Sequence, residues 1–222
     1  MIHMLVADYL NILKREIGVK EGANNKVKYS DELHEVEPRI DKNAPWCQAF
    51  LSWAKWIFFG KDLKKARASV YGYLEDFTQN AAGQYKNAKR WGKEPAVGAD
   101  VFFKDVNGNI NHVGCVLSYD ASNIYTIEGN SNNMVRTRVY PRSYKSIAGY
   151  GYPSFVSPPG KTANVEKQAQ AKKESFYYKV KKGDTLTSIA KANKTTVKKL
   201  VADNAIKNKN LIFVGQKILI TY

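Results

Sequence analysis

The sequence predicts an α+β protein built from two modules. Three observations carry that expectation: helical periodicity runs from Ile2 to Phe77, a period-two pattern replaces it after Pro95-Ala-Val-Gly98, and a short strand-helix-helix-strand pattern closes the chain. Ile2, Leu5, Val6, Tyr9, Leu10, Leu13 and Ile17 share one helical face, with Lys14 and Arg15 in the last turn and Gly18 as a stop. A second helix is expected from Asn43-Ala44-Pro45, with Asn43 as cap and Phe50, Trp53, Ala54, Ile57 and Phe58 at spacings of three and four. A third follows Ser69, through Val70, Tyr73, Leu74 and Phe77. Runs of β-branched and aromatic residues at 101–103, 112–119, 124–128, 135–140 and 149–152 then read as an antiparallel meander, cut by Asn, Gly, Asp and Ser.

Composition sets the outer limits. The 222 residues suit one or two domains, and 44% hydrophobic with 25% charged residues is globular rather than disordered. No apolar run approaches the length of about 18 residues needed to span a membrane. Asp8, Asn11, Lys14, Arg15 and Glu16 interrupt any secretory leader, so the expectation is a chain made in a host cytoplasm and acting elsewhere after release. The net charge is +15, unevenly placed: from Lys161 onward there are 14 lysines, no arginine and four acids. Residues 157–175 are almost devoid of large aliphatics and read as a linker between modules at 1–156 and 176–222.

Two cysteines are too few for a disulfide framework, so each is read alone. Cys47 falls in the first turn of the second expected helix, where unpaired N–H groups stabilise a thiolate. Cys115 lies mid-strand on the side of Val113 and Leu117 and reads as a small core residue. A turn centred near Ala121 makes cross-strand partners sum to about 242, which puts His112 opposite Asn130, diagonal to Glu128, and on the same face as both. Either a carboxylate or an amide there can orient the imidazole while its other nitrogen meets the thiol. Gly114, next on that face, leaves room beside the ring. His3, at the chain start, and His34, in a polar loop, are weaker candidates for a base.

These residues occur in a familiar order. Pro45-Trp-Cys47-Gln-Ala-Phe-Leu-Ser-Trp53, Pro95-Ala-Val-Gly-Ala-Asp100-Val-Phe-Phe103, Asn111-His112-Val-Gly114 and Tyr125-Thr-Ile-Glu128-Gly-Asn130 resemble successive motifs of CHAP domains. These are cysteine/histidine-dependent amidohydrolases and peptidases of bacterial and phage cell-wall lysis. The resemblance implies a papain-like fold with helices packed on an antiparallel sheet, Cys47 as nucleophile, His112 as base, Glu128 as orienting group and Asn130 as a further polar member. It also implies hydrolysis of a peptidoglycan amide, as an N-acetylmuramoyl-L-alanine amidase or an endopeptidase. The oxyanion would meet the Cys47 backbone N–H and a second donor, for which Gln48 is one candidate. Some members bind calcium before the cysteine, where this chain offers Asp31, Glu32, Glu35, Glu37, Asp41 and Asn43 without the spacing of an oxygen-ligand loop, so no metal or other cofactor is assigned.

The closing segment resembles a LysM module over its whole length: Tyr178-Lys-Val-Lys-Lys-Gly183-Asp-Thr-Leu186-Thr-Ser-Ile189-Ala190, Asn204-Ala-Ile-Lys-Asn208-Lys-Asn210-Leu-Ile212 and Gly215-Gln-Lys217. The resemblance implies a βααβ fold that binds N-acetylglucosamine-containing glycans through Gly183, Asp184, Thr185 and Leu186 and through Asn208, Asn210, Leu211 and Ile212. Lys209 stands where proline is common in that family. The lysines suit anionic wall polymers; nucleic acid is not expected, since the tail has no arginine and no aromatic array among its basic residues. Together the modules suggest a monomeric, wall-targeted lysin of phage endolysin type.

Overall fold

The computed structural model describes residues 5–159, 176–181, 183–193, 195–204, 206, 208–209 and 211–220. The chain divides into two compact units, Met1–Lys161 and Thr162–Tyr222. Most of the expected linker, residues 160–175, lies outside the described residues, as does Ile2 of the first helical face.

The larger unit is α+β. Its helices are α1 (Val6–Lys14), α2 (Lys28–Val36), α3 (Cys47–Phe58), α4 (Leu63–Ser69) and α5 (Thr78–Asn87). They are followed by strands β1 (Trp91–Gly92), β2 (Asp100–Lys104), β3 (Ile110–Tyr119), β4 (Asn123–Glu128), β5 (Arg136–Pro141) and β6 (Ile147–Gly151). The strands form one antiparallel sheet in the order β1-β6-β2-β3-β4-β5. Helix α3 is apolar around most of its circumference, as a helix must be that touches α1, α2, α4, α5 and β3. Phe102, Val113, Cys115 and Ile127 join the helices in one core, while Val101, Phe103, Val116, Ile124, Tyr150 and Tyr152 form a second with Val156.

The helices differ from their sequence-based boundaries in informative ways. Helix α1 ends at Lys14, leaving Leu5 and Ile17 half-exposed outside it. Helix α3 begins at Cys47 rather than at Asn43, because the Asn43 N–H is taken by Asp41 Oδ1 at 2.8 Å in a tight turn. The helix expected after Ser69 does not form. Ser69 ends α4, Tyr71 adopts a left-handed φ of 61° that breaks helical continuity, and Tyr73 and Phe77 face solvent. His34 sits in α2, not in a loop. The spacing of Tyr29, Leu33 and Val36, and the Gly60-Lys-Asp62 stop and cap, are the signals that mark α2 and α4.

A buried ion pair ties α3 to the sheet. Lys55 Nζ lies 2.9 and 3.0 Å from the Asp100 oxygens, both side chains being fully buried. Tyr9 accepts from the same ammonium at 3.2 Å, and the Tyr85 hydroxyl donates to Asp100 at 2.8 Å. Burial, then the neighbouring negative charge, pushes the Tyr85 hydroxyl well above its usual range, so it stays a donor.

The smaller unit pairs β7 (Phe176–Lys179) with β8 (Lys217–Ile220) and carries helices α6 (Leu186–Ala192) and α7 (Val197–Asp203). Its core is Val180, Leu186, Ile189, Ala190, Leu200, Ile218 and Ile220. Thr185 and Ser188 cap α6 reciprocally, each backbone N–H meeting the other's hydroxyl at 3.0 Å. Among the described residues no helix is long and apolar enough to cross a membrane.

Candidate active site

The site forms where the start of α3 meets the ends of β3 and β4. Trp46 precedes the helix, fully buried, its indole N–H donating to Glu21 Oε2 at 2.6 Å. Gly129, just past β4, lets that chain press onto α3, since a Cβ there would stand 2.7 Å from Phe50 Cβ and 2.9 Å from Trp46 Cζ3. That close approach brings Cys47, the first residue of α3, to a histidine remote in sequence.

His112 on β3 reaches both sides of the site. Its Nε2 lies 2.9 Å from Glu128 Oε2, which leaves Nδ1 as the nitrogen for sulfur, and the Cys47 side chain is near enough to act on the charge of the ring. The register explains the meeting. Cys115 pairs with Ile127 and Val116 with Thr126, but a bulge at Leu117 shifts the outer pairs to Ser118 with Tyr125 and Tyr119 with Ile124. The inner pairs sum to the expected 242 and the outer pairs to 243. At the inner end Glu128 therefore lies across from Gly114, and its side chain crosses that glycine to reach the ring. A Cβ at Gly114 would stand 2.6 Å from Glu128 Cγ. Gly114→Ala is accordingly expected to lower any turnover that depends on His112 by tenfold or more, on the order of the loss caused by small misplacement of a reacting group, with little change in melting temperature.

Burial alone would strip the proton from His112, but the hydrogen bonds to Cys47 and Glu128, and the charges on both, outweigh it and push the ring up to about 10. The cationic ring is thus favoured across neutral pH. Because the folded value lies above the ordinary 6.5, this group's contribution to stability is fully present below about 6.5 and is lost as pH rises through about 10. A reaction that uses this ring as its acid is expected to hold level from about pH 7 to 9 and to fall as the ring loses its proton near 10. An alkaline limb complete by about pH 8 in a rate profile would contradict this.

Glu128 is 1% exposed and fully satisfied: Oε1 accepts from the Thr126 hydroxyl at 2.6 Å, and Oε2 accepts from His112 and, at 3.3 Å, from the Tyr140 hydroxyl. Thr126 and Tyr140 were not singled out in the sequence, although Thr126 lies two residues before Glu128 and so on the same strand face. Asn130 occupies a left-handed turn at φ 53° and makes no side-chain hydrogen bond among the described residues, so Glu128 rather than Asn130 holds the ring. Cys115 is buried, and burial pushes its thiol up, away from nucleophilic chemistry. Gln48 is 3% exposed and donates to Ser52 Oγ at 3.3 Å, which takes its amide away from an oxyanion.

Four of the acids before the cysteine are engaged elsewhere. Glu32 accepts from the Trp53 indole, Glu37 from Arg67, Glu35 from Lys42 and Asp41 from the Asn43 backbone. Among the described residues no three His, Cys, Asp or Glu side chains gather as metal ligands.

In the smaller unit Gly183 takes a left-handed φ of 91°, and Asp184 accepts from the Lys181 N–H and the Tyr178 hydroxyl. Leu186 is 2% exposed and belongs to the core, which removes its side chain from the expected glycan contacts. Thr185 remains exposed while capping α6, and the Asn208 carbonyl accepts from the Leu211 N–H at 3.0 Å. Leu211 is exposed, as are Phe213 and Val214, two apolar residues the sequence reading passed over; Ile212 packs on the core, and Asn210 lies outside the described residues.

Comparison with known proteins agrees with the residue pattern. Residues 39–130 match the family model of the CHAP domain, and residues 178–221 match that of the LysM domain. An endolysin of Bacillus phage B103 is 55% identical over 47 residues, 21% of this chain and 18% of that protein. An endolysin of Bacillus phage PZA is 46% identical over 63 residues, 28% of this chain and 24% of that protein. The matched segments thus span less than a quarter of those relatives' length. The solved structure of Ly7917, determined alone and with the hydrolyzing product of MDP, is 15% identical over 79% of this chain and 66% of its own, with a TM-score of 0.43.

Proposed function

For a chain that carries a CHAP domain over residues 39–130 and a LysM domain over 178–221, we propose the function of a peptidoglycan hydrolase that cleaves an amide and holds the wall through its second module. The observation that supports this reading is His112 held by Glu128 at 2.9 Å, with Cys47 at the start of α3 acting on the same ring. In the proposed reaction the Cys47 sulfur, as thiolate, attacks the carbonyl carbon of the amide. The oxyanion is met by the Cys47 backbone N–H, a contact typically worth about 3 kcal/mol. The cationic ring then gives its Nδ1 proton to the leaving amine, and the C–N bond breaks to leave a thioester. Water, giving a proton back to His112, attacks that thioester and releases the acid and the thiolate. Glu128 holds the ring by Nε2–H, while Asn130 lies in the turn just after β4.

No cofactor enters this scheme, so hydrolysis is expected to survive a metal chelator. The LysM surface at Gly183, Asp184, Thr185, Asn208, Asn210, Leu211 and Ile212 would hold N-acetylglucosamine-containing glycan, with lysines drawing the monomer toward anionic polymers. A module that stays bound near an immobile polymer raises the local concentration of its catalytic partner. The site of action would be the bacterial wall after release from the cell that made it, as for a phage endolysin. Mass spectrometry of fragments freed from purified sacculi tests the reading, since a newly exposed amino group identifies the bond and separates amidase from endopeptidase. Binding of walls with no release of amine would overturn it.

A further inference from the structure

We infer that Arg136 and Arg138 on β5 form a subsite for a carboxylate on the peptide arm of the substrate, an inference that rests on the hydrolase reading above. In the β4–β5 pair Arg136 stands opposite Glu128, Arg138 opposite Thr126 and Tyr140 opposite Ile124. Directly opposed residues of an antiparallel pair share a face, so both guanidinium groups rise beside the carboxylate that holds His112. Neither takes that carboxylate as a partner, because its two oxygens are already filled by Thr126, His112 and Tyr140.

Four other arginines of this unit show what structural use looks like. Arg39, Arg67 and Arg142 each pair with a glutamate, and Arg90 is fixed by three backbone carbonyls. Arg136, by contrast, touches the Met134 sulfur at 3.7 Å, and Arg138 leans on the Tyr140 ring at 5.8 Å with Glu128 as the nearby negative charge; among the described residues neither forms a direct ion pair. Among the described residues no strand pairs with the outer edge of β5, although residues 18–20 bond Met134 and Val135 just before it. Beside it Tyr140 stacks on Tyr144 with ring centroids 5.3 Å apart, and Tyr144 remains 43% exposed.

A flat aromatic wall with two guanidinium forks on the strand beside Glu128, neither in a direct ion pair, suits a planar anion held by paired N–H donors. In a peptidoglycan substrate the anion within reach of the scissile amide is a free carboxylate of the stem peptide. Amidation of that carboxylate would remove the charge while keeping the shape.

The test compares two synthetic muropeptides, one with a free carboxylate beside the scissile amide and one with the corresponding carboxamide, using the full chain. Native protein is expected to favour the carboxylate form by roughly tenfold in kcat/KM, through KM, and Arg136→Gln with Arg138→Gln to bring that ratio near one. Because the readout is a ratio between substrates, a general loss of activity cancels, and Arg142→Gln, which breaks an ion pair elsewhere, is expected to retain the preference. An unchanged ratio in the double variant, or no preference in the native chain, would overturn the subsite while leaving the hydrolase reading intact. Cleavage of neither muropeptide would overturn both.

Discussion

Cys47→Ala is expected to abolish the release of wall fragments, a loss on the order of 10⁵-fold or more in turnover, while the protein still sediments with purified walls. The sulfur is the atom that forms the acyl bond in the proposed reaction, and neither solvent nor Cys115 can replace it, since Cys115 is buried in the helix-facing core. His112→Ala is expected to cost nearly as much, and the double variant no more than either alone, because residues that act as one unit lose their effect together. Fragment release by Cys47→Ala at even a hundredth of the native rate would remove the thiol from the mechanism.

The second large effect concerns stability. Lys55→Met leaves the Asp100 carboxylate in the core with only the Tyr85 hydroxyl from its present pair of side-chain donors, and removing one member of a buried ion pair typically costs about 3–5 kcal/mol. For a unit of this size that corresponds to a fall in melting temperature of roughly 10 °C. Lys55→Met combined with Asp100→Leu is expected to regain most of the loss, since no uncompensated charge then remains. Thermal denaturation of the three proteins decides the point, and a single variant as stable as the native chain would show that the pair is not desolvated.

The longer strands were legible because each is a short run of β-branched and aromatic residues set off by Asn, Gly, Asp or Ser, as at Asp120 and Gly108. The site followed from them, since parity alone put His112 and Glu128 on one face. The bulge at Leu117 was not legible, but it lies between the turn and the site, so the pairing arithmetic reached the right partners at the inner end. The helices were harder. Helix α2 is mostly polar and has no side-chain cap, α4 is seven residues long, and the left-handed Tyr71 is set by packing rather than by a local signal. Lys55 inside an apolar helix was a visible anomaly, but its partner Asp100 is 45 residues away and only the fold joins them. Likewise the third group could be a carboxylate or an amide until the turn after β4 rotated Asn130 aside.

The position of β6 between β1 and β2 has a consequence for biosynthesis. The strand made last in this unit is not peripheral but is wedged between two made earlier, so a ribosome must pass Gly151 before the sheet can close. Until then β1 and β2 lack the strand that joins them, and the sheet holding β3 and β4 is incomplete on that side.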